Sequence, residues 1–159
     1  MKRALLAMSV SVGLASVASP ALAQDNVVIN QNSSGGSVTV EQMGNMGQNQ
    51  VTVNQGQAYY YDPGWGGNQV NVVQSQATDS YAWVDQNGSA ASARLEQVQT
   101  FSSNANIMQN SYGGNLTAEI FQSGAYNYAN ISQFGSNMSA TIHQGFGTSN
   151  NTATIMQSH

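Results

Sequence analysis

The stretch "ATIHQGFGTSNNTATIMQ", Ala140 to Gln157, spells one pattern twice. Ala140-Thr141-Ile142-His143-Gln144 returns as Ala153-Thr154-Ile155-Met156-Gln157, thirteen residues later. The repeated Ala, Ile and Gln stand at alternate positions, and on a β-strand alternate positions share one face. The residue between Ile and Gln is free to change, His143 in one copy and Met156 in the other. The pattern predicts a strand with a dictated inner face and a permissive outer one.

Working outward, the glutamine recurs as Gln31, Gln42, Gln55, Gln74, Gln86, Gln97, Gln109, Gln122, Gln133, Gln144 and Gln157. Two positions before each stands an aliphatic: Ile29, Val40, Val53, Val72, Val84, Leu95, Ile107, Ile120, Ile131, Ile142 and Ile155. Four positions before each stands Val or Ala, from Val27 to Ala153, without exception. Several units place a small polar residue six positions before, as Asn49, Asn68, Ser80, Ser103, Asn127 and Asn151 do. An 11-residue hydrophobic repeat can also signal a right-handed helical supercoil. Here most spacings wander between 11 and 13, the connectors carry Gly and Asn, and the periodic positions favour Val, Ile and Thr. These features argue for strands.

The reading is therefore an all-β solenoid of about eleven strand-turn units, two strands per coil. One unit alone buries only two modest aliphatics. Stacking places Ile on Ile and Gln on Gln. A buried amide left unpaired is costly, but stacked glutamines satisfy one another along a ladder. At roughly 4.8 Å per layer the stack is about 25 Å tall. One spacing is longer, 19 residues from Gln55 to Gln74. Its connector, "GQAYYYDPGWGG" over 56–67, reads as a loop. Tyr59, Tyr60, Tyr61 and Trp65 make it a candidate contact site, because exposed aromatics favour interfaces; the alternative is a tolerated insertion at a corner.

The N-terminus reads differently. Met1-Lys2-Arg3, an apolar run and Ala21-Leu22-Ala23 resemble a secretory signal peptide over 1–23. That leaves a short leader at 24–26 and the repeat domain at 27–157. No later stretch approaches the roughly 20 apolar residues of a spanning helix. Beyond residue 23 the chain has one cation, Arg94, against seven acids. Electrostatic nucleic-acid binding needs clustered cations, so that class is excluded. The sequence has no cysteine, so backbone pairing and packing must supply stability. Asn and Gln make up 36 of the 136 residues after position 23. Such a composition can mean disorder, but the kept periodicity argues for order.

The unit A/V-x-I/V-x-Q, often followed by x-G-x-x-N, resembles the curlin repeat of bacterial curli fibre subunits. The clearest stretch runs from Asn115 to Gln157, where Gln122-x4-Asn127-x5-Gln133 reproduces the family's spacing. The resemblance implies an extracellular functional amyloid: cell-surface fibres of a Gram-negative bacterium, serving biofilm, adhesion and colonisation. It implies as partners further copies of the chain, other curlin-like subunits, and curli-type secretion and chaperone machinery. Both a major fibre-forming subunit and a minor nucleator exist in the family. The reading leans slightly to the major subunit, although the A-x-I-x-Q units resemble the minor one.

Rival classes are weaker. His143 and His159 are the only histidines, the carboxylates do not cluster in sequence, and no nucleophile–base or metal-ligand spacing stands out. No catalytic, cofactor or metal residues are therefore assigned, and the chain does not read as an enzyme. A monomeric β-solenoid adhesin remains a more distant alternative, though an ice-binding array is broken by Trp83, Arg94 and Glu119. Calcium-binding nonapeptides would need G-G-x-G-x-D, which is missing. Soluble solenoids usually end in capping repeats and protect exposed strand edges. The unit at 153–157 is as regular as its neighbours, so its edge is expected to template the next subunit. Asp79, Asp85 and Glu96 are candidate gatekeepers against premature assembly, or simply aids to solubility.

Overall fold

Val and Ile at alternate positions are stiff at χ1 and pack well on a pleated surface, and each repeat unit forms one strand. The computed structural model describes residues 9–15, 24–32, 36–56 and 67–159. The strands are β1 (Ser9–Ala15), β2 (Gln24–Gln31), β3 (Ser37–Met43), β4 (Gln48–Gly56), β5 (Gln69–Ser75) and β6 (Tyr81–Asn87). They continue as β7 (Ala91–Phe101), β8 (Asn104–Ser111), β9 (Leu116–Ala125), β10 (Tyr128–Gly135), β11 (Met138–Gln144) and β12 (Thr152–Ser158). Strands alternate between two six-stranded sheets. The first has the order β1-β3-β5-β7-β9-β11, the second β2-β4-β6-β8-β10-β12. All pairs are parallel. The chain thus winds as a β-solenoid in which each coil uses one strand of either sheet.

Register is kept from layer to layer. Ala129 pairs with Ala105 and Ala153, Ile131 with Ile107 and Ile155, and Gln133 with Gln109 and Gln157. A one-residue slip would turn the aliphatic face outward, so the period-two pattern itself locks the register. The core between the sheets is a column of Val, Ala, Leu and Ile, including Val40, Val72, Leu95, Ile107, Ile120 and Ile131, each fully enclosed. Burying one such side chain is worth about 1.5–3 kcal/mol. Val27, Ile29, Ala153 and Ile155 lie at the ends of the stack and are only partly covered.

The variable spacing is absorbed at the corners. Asn49 donates to Met46 O at 3.0 Å and Ala77 O at 3.2 Å and accepts from Ser80 N at 3.0 Å. Asn127 donates to Ser123 O at 3.0 Å and accepts from Asn151 N at 3.2 Å. The small polar residues six positions before the glutamines thus tie each corner to the next coil. Left-handed backbone recurs at corners, for example at Gln76, Asp79, Ser102 and Asn137. Tyr59, Tyr60, Tyr61 and Trp65, expected above as a candidate contact site, lie outside the described residues.

β1 lies in the stretch 1–23, which resembles a signal peptide. Its Val10, Val12 and Leu14 pair in register with Val38, Val40 and Gln42. Val10 and Val12 repeat the period-two spacing of a unit, and this is the signal that a search anchored on glutamine passes over.

Gly124 has a φ of +106°, and a Cβ there would collide with the Thr148 carbonyl oxygen. Gly145 has open space instead. Gly124→Ala is expected to destabilise the fold by more than about 1 kcal/mol, and Gly145→Ala by less than about 0.5 kcal/mol. Urea denaturation of the soluble chain checks both.

Candidate assembly site: the amide ladders and their ends

From Gln42 to Gln144 the glutamine ending each unit is buried, and burial obliges it to find partners. In the first sheet Gln42 donates to Gln74 (2.7 Å), Gln74 to Gln97 (2.8 Å), Gln97 to Gln122 (3.1 Å) and Gln122 to Gln144 (2.9 Å). In the second, Gln55 donates to Gln86 (3.1 Å), Gln86 to Gln109 (2.8 Å), Gln109 to Gln133 (2.9 Å) and Gln133 to Gln157 (2.8 Å). The remaining Nε2 hydrogen reaches the facing sheet, as from Gln109 to Ser92 O (3.2 Å) and from Gln122 to Asn104 O (3.0 Å). A carbonyl only accepts, so wherever that second bond is made it fixes which end of the amide is nitrogen, and the bonded neighbours align the rest. Both ladders consequently run one way, donating toward the C-terminal end of the stack.

The ends of the ladders differ in kind. At the C-terminal end Gln144 Nε2 donates to Tyr128 O (3.2 Å) and Gln157 Nε2 to Ser139 O (3.2 Å). Neither meets a further glutamine among the described residues. At the N-terminal end Gln42 Oε1, Gln55 Oε1 and both amide atoms of Gln31 are enclosed without a hydrogen-bond partner. The aliphatic ladder follows the same columns, with Ile29 over Val53 and Ile131 beneath Ile155.

The acids sit apart from the ladders. Asp79 accepts from Gln48 N at 2.8 Å and so closes a corner. Glu96 and Glu119 pair with Arg94 at 2.7 and 2.6 Å on the outer face of the first sheet. Exposed pairs of this kind contribute about 0–1 kcal/mol. Asp85 lies on the outer face of β6, between Asn54 of β4 and Met108 of β8. Partial burial pushes its carboxyl above the ordinary range, against a hydrogen bond from Asn87 that pulls the other way. Phe121 stacks edge-on against His143, with ring centroids 4.7 Å apart, and Phe146 lies beyond. Among the described residues no group of His, Cys, Asp or Glu is placed to hold a metal ion. No described helix is long and apolar enough to cross a membrane.

Residues 113–145, covering β9, β10 and β11, match the family model described as "Curlin associated repeat", consistent with a curlin-family protein. No curated protein and no solved structure matches the chain.

Gln109→Leu keeps the bulk but deprives Gln86 Nε2 of an acceptor and Gln133 Oε1 of a donor. Each orphaned group costs about 1–3 kcal/mol. The variant is expected to lose at least about 2 kcal/mol in denaturant titration, more than Gln157→Leu at the partly exposed end.

Asp85 predicts a pH dependence of definite sign. The folded state holds its proton more tightly than the unfolded state, so the stability from protonation is lost as pH rises through the folded value. Asp85→Asn is expected to be more stable than the parent at pH 7. It should also lose the part of the slope lying just above the ordinary aspartate value of about 3.9. Urea midpoints of both proteins from pH 4 to 7 measure this.

Proposed function

We propose that this chain is a secreted structural subunit that self-assembles, edge to edge, into extracellular curli-type amyloid fibres. The curlin-repeat match supports the family reading. The observation that carries the assembly reading is the pair of unfinished ladders, donor-ended at Gln144 and Gln157 and acceptor-ended at Gln31 and Gln42. A second copy supplies at each end what the first lacks. Parallel strands, in-register identical residues and amide ladders are the ingredients of cross-β stacking. Lys is absent beyond residue 23, so the usual edge-blocking charge is missing.

In this reading residues 1–23 direct secretion and are removed, the repeat domain 27–157 forms the fibre core, and the fibres serve biofilm matrix, adhesion and surface colonisation. Curli-type secretion and chaperone machinery would handle the chain before assembly. The segment 56–67, with Tyr59, Tyr60, Tyr61 and Trp65, would serve as a contact site for a partner or a sister filament. Asp79, Asp85 and Glu96 would slow premature association. The role is that of the major fibre-forming subunit, with the nucleator as the second reading, favoured by the regular A-x-I-x-Q units.

The chain lacking residues 1–23 is expected to form fibres on incubation, with a meridional reflection near 4.8 Å. Persistent monomer without that reflection sinks the proposal. Seeding decides the role: a nucleator's seeds accelerate a co-expressed curlin-like partner far more than the partner's seeds accelerate it.

A further inference from the structure

The second sheet holds six strands, β2 to β12. The first holds five repeat strands, β3 to β11, and β1 as its sixth. Removal of residues 1–23 makes the two columns unequal, and this bears on how a second copy can join. If the copy is simply translated along the axis, its β2 lies on β12 and Gln157 can donate to its Gln31. In the first sheet, however, its β3 then lies two strand spacings beyond β11, about 9.6 Å. Gln144 Nε2 cannot reach Gln42 Oε1 across that gap. The backbone groups along the outer edge of β11 would also be enclosed without partners, which is costly.

A half-turn about the axis removes the conflict. The copy's β2 then lands on β11 and its β3 on β12. Strand directions agree, because a coil runs out along one sheet and back along the other. Gln144 donates to Gln31 of the copy and Gln157 to Gln42, so both free donors meet both free acceptors. Gln31, once seated, can turn its Nε2 to Gln55 Oε1, the remaining orphan of the glutamine ladders. The aliphatic columns continue too, with Ile29 on Ile142 and Val40 on Ile155. Six positions before the glutamines the column is broken on both strands: Asp25 comes over Met138, and Gly36 over Asn151, so neither extends the polar column of Asn127 and Asn151.

We propose that successive subunits are related by a half-turn about the fibre axis, each advancing five and a half strand layers, so that the two sheets exchange places at every junction. The proposal rests on the assembly reading above and specifies its partner as a second copy in one orientation.

The chain has no cysteine, so Thr141→Cys, on the exposed outer face of β11, gives a unique label site. Fibres of the 24–159 chain carrying this change are labelled with maleimide-gold and reconstructed by electron cryomicroscopy. Labels alternating between opposite sides, with a subunit rise of about 26 Å, are expected from strand layers of about 4.8 Å. Labels confined to one side, with a rise near 29 Å, overturn the half-turn while leaving assembly intact. Failure to form fibres in both this variant and Thr154→Cys, when the unlabelled parent also forms none, overturns the assembly reading and the half-turn with it.

Discussion

A buried amide must find partners on both of its sides, and the rest of this molecule depends on that requirement. Each inward glutamine is too polar to sit among Val, Ile and Ala alone. It becomes tolerable when another glutamine lies one strand spacing above and a third one spacing below. Gln86, Gln109 and Gln133 are fully enclosed, and each bonds its neighbours along the column. That condition demands strict register, and strict register in turn stacks the aliphatics: Val84, Ile107 and Ile131 form one column because the amides beside them cannot slip.

The same requirement explains why the fold has direction. A glutamine presents a donor at one end and an acceptor at the other, and the facing-sheet carbonyls set which end points where. Repeated over eight ladder bonds, a local asymmetry becomes a property of the whole stack. The two ends are therefore complementary to each other and not to themselves. The outer faces carry little of this burden. Arg94, Glu96, Asp85 and Phe121 vary freely because no column constrains them.

The corners carry a second, weaker code. Asn49, Asn127 and their equivalents cap one turn and accept from the next, so spacings of different length converge on one coil geometry. This tolerance was only half legible in the sequence. The small polar residue six positions before the glutamine was visible as a pattern. Its bonding to backbone groups of adjacent coils depends on where the corners stack, which no linear spacing states. β1 was illegible for a related reason: Leu14 stands where a glutamine would mark a unit, so only pairing with β3 reveals the strand.

The sequence by itself determined the all-β class, the eleven inward triplets and which face of each strand turns inward, because a period of two admits one inner face. It also carried the likeness to the curlin repeat. The tertiary structure alone decided that both amide ladders donate toward the same end. The reason is that an amide's orientation is set by groups far away in the chain: Gln109 is aimed by Ser92, and Gln122 by Asn104. Those carbonyls come into reach only when the coil has closed.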